Sequence, residues 1–394
     1  NEEVIMLPTR TFRIPRVIIT GSGASEQVGE ECQKLNVKKA LIVTDPNLVK
    51  LGIVDGVKES LRQSGVSYAV YDGVLTEPTV EFVQEGLKAY RENGCDFLLA
   101  VGGGSPMDTA KAVAMMVTNA GSIENYQGLG KIPQKGRPLI AIPTTAGTGS
   151  EVTPFTIITD TKREVKMLIG SPYLMSEVAI VDPRLTLTLP PDITAATGID
   201  ALTHAIEAYV SVKAQPMSDV LCLSAIELIS GNLRKAWAKG DDIEAREKTM
   251  LGALQAGMAF GNASVALVHG MARPIGAYFC VRHGASNAAL LGVVMEFSLT
   301  GNPARYARIA KAMGEDIDGL SDLEAARLGA KAVKKLIKDI KVPSLKELGV
   351  DKAKLEKLAP KMSEDAIASG SPGNNPRQAT KEEIIELYKL AYRY

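Results

Sequence analysis

The sequence has 394 residues, of which 45% are hydrophobic, and 45 basic side chains balance 45 acidic ones. That length supports two domains with sizeable cores, and the even charge gives no footing for a nucleic-acid binder or a protein held on an anionic membrane, so a small molecule is the expected partner. The opening stretch NEEVIMLPTRTFRIP lacks a basic-then-apolar signal pattern and no apolar run reaches the ~18 residues of a membrane helix; the four scattered cysteines, Cys32, Cys95, Cys222 and Cys280, contain no C-x-x-C pair, and a cytoplasmic protein is expected.

From about residue 15 to 185 short β-branched runs alternate with amphipathic stretches. The runs are Val17 to Thr20, Ala40 to Thr44, Ser67 to Tyr71, Phe97 to Val101, Leu139 to Ile142 and Val178 to Val181. This rhythm predicts βαβ units on a mostly parallel sheet. After LTLTLPPD the strand-like runs give way to long Ala-, Leu- and Gly-rich helical patterns. The expected organisation is therefore an α/β domain over residues 1–187, whose dinucleotide-binding role is what the resemblance described below implies, and an all-α domain over 188–394.

Asp45 follows the second strand, where a carboxylate can accept hydrogen bonds from a ribose diol and repel a 2′-phosphate, favouring NAD over NADP; an Asp-Pro turn would use the same residue. The run FLLAVGGGSPMDTAK sets Gly102, Gly103 and Gly104 between a strand and a helix start. Free N–H groups and the helix dipole there attract a pyrophosphate. Ser105 is expected as the N-cap, Pro106 as the first helical residue and Asp108 as the far member of a capping box. Past the next strand, IPTTAGTGSEVT gathers Thr144, Thr145, Thr148 and Ser150 with two glycines, suited to phosphate, ribose or carboxamide contacts and equally compatible with an ordinary polar loop.

The chain has only three histidines, His204, His269 and His283, all in the helical half. Asp200 and His204 are four apart on a helical segment and project to one face. In ALVHGMARPIGAYFCVRHGASNAAL, His269 and His283 flank Pro274-Ile275-Gly276, where a bend is expected. Three imidazoles and one carboxylate suit a divalent transition metal, and zinc and ferrous iron both accept such ligands.

GGGSPMDTAK, PTTAGTGSE, AATGIDALTHAIEAY and HGMARPIGAYFCVRHGASNAALL together resemble the motifs of the iron-containing (group III) alcohol dehydrogenase family, and VPSLKELGV and NNPRQATKEEI extend the resemblance almost end to end. It implies NAD(H)-linked interconversion of a small alcohol and its aldehyde or ketone in a cleft between two domains. It also implies a metal, Fe2+ first with Zn2+ or Mn2+ as alternatives, held by Asp200, His204, His269 and His283. The GGGS loop and the Thr144, Thr145, Thr148 stretch would bind the dinucleotide, Asp45 sits at the position associated with NAD preference, and Lys166 is similar to a family lysine lining the cofactor cleft. The family is usually at least dimeric, so a homo-oligomer is expected by analogy.

One position departs from the pattern. Where the family commonly carries a second histidine four residues after His269, this chain has Arg273. A guanidinium does not relay protons at neutral pH. It could hold an anionic substrate, a carboxylate, sulfonate or phosphonate, with help from Arg282; alternatively it pairs with an acid such as Glu207 and is structural. Two further readings stay open: a polyol-phosphate dehydrogenase or dehydroquinate-synthase-like enzyme of related build, and a non-catalytic NAD- and metal-binding sensor or scaffold.

Overall fold

The computed structural model describes residues 9–163 and 165–393. The first eight residues of the opening stretch, on which the expectation of no signal segment partly rests, lie outside them. Among the described residues nine strands form two sheets: β1 (Val17–Thr20), β2 (Lys39–Val43), β3 (Ser67–Tyr71), β4 (Phe97–Gly102), β5 (Gly128–Leu129), β6 (Leu139–Pro143), β7 (Phe155–Asp160), β8 (Val165–Gly170) and β9 (Val178–Val181). Six of them make one all-parallel sheet in the order β1-β9-β6-β4-β2-β3. The expected α/β architecture and its strands stand, with boundaries moved by at most one residue.

The sheet is buried on both faces, as a parallel sheet requires. Ala40 and Ile42 of β2 point into one apolar cluster with Phe97, Leu99 and Ile140, while Leu41 and Val43 point into the opposite one with Leu98, Ala100 and Met107. This two-residue period follows from the pleat. From β2 the chain crosses to β3 on one side and returns to β4 on the other. The crevice beyond the carboxyl ends of β2 and β4 is thus a topological switch point, where open α/β sheets bind ligands.

The hairpin β7–β8, which the sequence reading did not anticipate, forms a small second sheet with β5. Beyond Val181 no further strand occurs among the described residues, and long helices follow from Pro191. They enclose a third, larger core of mainly alanine, leucine and isoleucine. No single helix among the described residues is long and apolar enough to cross a membrane; Ile243–Ala263 with Leu267–Phe279 is apolar enough as a pair, but is bent by 103° and packs into that core.

Candidate metal and cofactor site

The glycine loop closes β4 and opens the helix Gly104–Thr118. The expected cap is displaced: Gly103, not Ser105, is the N-cap, with extended backbone and no side-chain cap, so Ser105 and Pro106 lie inside the first turn. A glycine cap leaves the first amides unshielded, the condition that favours phosphate at a helix N-terminus. A Cβ on Gly102 would stand 2.6 Å from Pro106 Cγ, and one on Gly104 would stand 2.9 Å from Thr148 Cγ2, whereas one on Gly103 would meet Thr145 at an ordinary 3.5 Å. Thr145 and Thr148 therefore face the loop. Thr144 is buried and donates its N–H to Gly102 O (3.0 Å), locking the ends of β4 and β6 together.

Asp108 makes no capping box. Its carboxylate accepts from Ser150 Oγ (2.7 Å) and from Ile157 N (2.8 Å), because the helix start lies against the following loop and hairpin. One turn on, buried Lys111 donates to the carbonyls of Thr153 (2.8 Å) and Phe155 (2.9 Å), and burial lowers its pKa to about 8. Asp108 and Lys111 thus brace the loop from below. Asp45 caps the helix Pro46–Lys50, accepting from Asn47 N and Leu48 N through Oδ1 alone. The Asp-Pro turn reading is thereby satisfied, while Oδ2 takes no part in the cap.

The helical half supplies the second element. Asp200 and His204 lie on the helix Pro191–Val210, His269 on Leu267–Phe279, and His283 starts His283–Ser298. Pro274 lies inside the helix Leu267–Phe279, which continues past it, and the chain turns at Cys280, whose left-handed backbone (φ 56°) ends the helix. That turn brings His283 back toward His269. One donor atom each from Asp200, His269 and His283 lies within 4.8 Å of the others. Asp200 Oδ1 is 3.7 Å from His269 Nε2 and 3.6 Å from His283 Nε2. Ligands at 2.0–2.2 Å around a tetrahedral metal stand about 3.3–3.6 Å apart, so these residues fit a divalent ion with little movement.

His204 is beside this triad but not in it. Its ring stacks between Phe260 (centroids 4.1 Å) and His269 (4.5 Å), and its buried Nδ1 has no hydrogen-bond partner. The protonation states of Asp200, His204 and His283 suit metal binding, which needs an ionised carboxylate and neutral imidazoles, whereas at His269 a metal must displace a proton from Nε2. Burial disfavours charge on Asp200, but the surrounding imidazoles of His204, His283 and His269 outweigh it and hold the carboxyl far below its usual range. Burial lowers His204 to about 3 and His283 to about 4, keeping both neutral. Burial also disfavours charge on His269, yet Glu207 and Asp200 prevail and raise its pKa.

Glu207, named from the sequence only as a partner for Arg273, has another role. It accepts from Val268 N (2.5 Å) and lies 2.5 Å from His269 Nδ1, which fixes the His269 proton on Nδ1 and leaves Nε2 as the donor atom. Glu207, Phe260 and Asn287 are the site residues that the sequence reading missed. Arg273 forms no ion pair among the described residues; its one hydrogen bond goes to Ser371 Oγ (2.9 Å). Arg282 does not join it, but pairs with Asp192 at the surface (3.0 Å).

Among the contacts that join the halves, two lie at the site. A Cβ on Gly147 would stand 2.7 Å from Thr197 Cβ, and one on Gly149 (φ 61°) 2.5 Å from Gly257 Cα, so the threonine loop packs directly on the helices. Lys166, paired with Glu77 at 2.5 Å, reaches from β8 toward Gly276, and its charge acts on His283.

An uncapped glycine turn at a parallel-sheet switch point, set against a buried carboxylate and histidine cluster, defines a metal-dependent oxidoreductase that uses a dinucleotide. The family model described as iron-containing alcohol dehydrogenase matches residues 15–183, and its Fe-containing C-terminal counterpart matches residues 194–392. The chain is 42% identical over 385 residues to choline dehydrogenase of Bacillus subtilis (strain 168), covering 97% of this chain and 95% of that one. It superposes on a crystal structure of 1,3-propanediol oxidoreductase with TM-score 0.95, 41% identity and coverage of 98% and 100%. Sulfoacetaldehyde reductase from Bifidobacterium kashiwanohense, solved in complex with NAD+, matches with TM-score 0.88, 30% identity and coverage of 98% and 99%. The chain belongs to the iron-containing alcohol dehydrogenase family, and its class is that of an NAD(H)-linked alcohol dehydrogenase or aldehyde reductase. The synthase-like and sensor readings give way to it.

Proposed function

We propose that this chain interconverts a small primary alcohol and its aldehyde, with iron held by Asp200, His204, His269 and His283, and that its substrate carries an anionic group bound by Arg273. The observation that supports it most is the triad of Asp200, His269 and His283, the first two buried and the third half-buried, whose donor atoms converge within 4.8 Å. A metal held by these residues would lower the pKa of the alcohol oxygen, and an NAD+ held at the glycine loop would supply the hydride acceptor. Glu207 orients His269, and ionised Asp200 supplies the negative charge. Gly103, Gly104 and Ser105 offer amides at the helix start to the pyrophosphate with Gly102 at the strand end beside them, Thr144, Thr145 and Thr148 line it, Asp45 Oδ2 takes the ribose, and Lys166 closes the cleft; Asp108 acts as a brace beneath.

Arg273 stands one helical turn after His269, and its charge acts on His283, so it lies on the metal side of its helix. A half-buried guanidinium with five N–H donors and a single partner, the neutral Ser371 hydroxyl, has capacity for a carboxylate, sulfonate or phosphonate. Arg273→Ala is expected to lower kcat/KM for anionic aldehydes roughly 10- to 150-fold, the loss of a hydrogen bond to a charged group, and to leave neutral aldehydes within a few-fold. Equal losses on both series would assign Arg273 to the fold instead.

We also place the division of labour at residues 187 and 188 and the working form as a cytoplasmic homo-oligomer without nucleic-acid or membrane partners. Support comes from the balanced charge, the four free cysteines and the family's habit. Light scattering on the purified protein tests the oligomer directly.

A further inference from the structure

Asn287 is fully buried on the helix His283–Ser298, four residues after His283. Its amide nitrogen is 2.6 Å from Asp200 Oδ1, 3.1 Å from His269 Nε2 and 3.2 Å from His283 Nε2, the three atoms of the triad, while its Oδ1 has no hydrogen-bond partner. A carboxylate can only accept, so Asp200 requires the NH2 end of the amide to face it.

Each imidazole Nε2 has one lone pair, and a cation on that nitrogen excludes Asn287 from it. Asp200 Oδ1 has further lone pairs and can bind a cation and an amide N–H together. Resting on the metal-site reading above, we infer that Asn287 is a positioning residue of the metal centre: its N–H to Asp200 holds the one anionic ligand in its coordinating orientation. The Asn287 amide makes the shortest polar contact to Asp200 Oδ1, 2.6 Å against 3.7 Å from His269 Nε2 and 3.6 Å from His283 Nε2. Aligning a ligating carboxylate in this way typically changes metal affinity 10- to 100-fold. Leaving the amide oxygen unpartnered in a buried site carries a desolvation penalty that apolar packing alone would not require at this position.

The test is titration of the chelated full-length protein with Co2+, following its visible absorption, for wild type, Asn287→Leu and Asn287→Ala. Leucine keeps the branched heavy-atom skeleton of asparagine without its polar atoms, and alanine avoids any clash. Both variants are expected to bind Co2+ 10- to 100-fold more weakly and with displaced absorption bands, reporting altered ligand geometry. Asn287→Ser, which keeps a short hydroxyl donor, is expected to recover part of the affinity. If wild type takes up no stoichiometric Co2+, the metal-site reading itself fails. If wild type binds while the leucine and alanine variants bind equally well, or more tightly, Asn287 does not position Asp200. Loss of native circular dichroism in both would make Asn287 a core residue and overturn the inference.

Discussion

Asp200→Ala is expected to yield a folded protein with little bound metal and a kcat/KM lower by about four orders of magnitude, the scale of the several kcal/mol of charge stabilisation that a metal contributes. The reason is local. Asp200 is the one carboxylate in the triad, it is held ionised by three surrounding imidazoles, and both His269 Nε2 and His283 Nε2 lie within 3.7 Å of its Oδ1. Without it the remaining donors are neutral nitrogens. Metal analysis of the purified variant beside its kinetics checks this, and circular dichroism separates it from misfolding. Full metal content with near-normal turnover would remove Asp200 from the site.

The second large effect is expected from Gly103→Asp. Of the three loop glycines, only Gly103 has room for a side chain, since its Cβ would meet Thr145 at 3.5 Å while those of Gly102 and Gly104 would collide with Pro106 and Thr148. The substitution should spare the fold and place a carboxylate over the uncapped helix start. Two negative charges 4–8 Å apart at an effective dielectric of about 20 repel by about 2–4 kcal/mol, so KM for NADH should rise roughly 10²-fold with metal content and Tm little changed. An unaltered KM would move the pyrophosphate away from this loop.

The candidate metal residues were legible because histidine is rare in this chain and Asp200 and His204 stand one helical turn apart. Their arrangement was less so. The stacking of His204 on Phe260 depends on helix packing that no spacing encodes, and the turn that returns His283 falls at Cys280, a residue with no turn signature, while Pro274 is accommodated inside the helix. Glu207 had a faint signal, three residues after His204 on the same helix, but its partner lies 62 positions away. Asn287 was equally visible as an i+4 neighbour of His283. The cap at Ser105 was misplaced because Asp108 is drawn to Ser150 and Ile157, a tertiary contact that overrides the local box. The β7–β8 hairpin could have been found, since Thr156, Ile158 and Asp160 alternate as its buried positions.

The most direct test of the account is NADH oxidation by the purified, metal-analysed protein with a panel of small neutral and anionic aldehydes, before chelation, after it and after restoring Fe2+. The account predicts aldehyde-dependent oxidation that chelation abolishes and iron restores, with anionic aldehydes preferred. Turnover that survives complete removal of the metal, or none with any aldehyde in the iron-loaded protein, would contradict it.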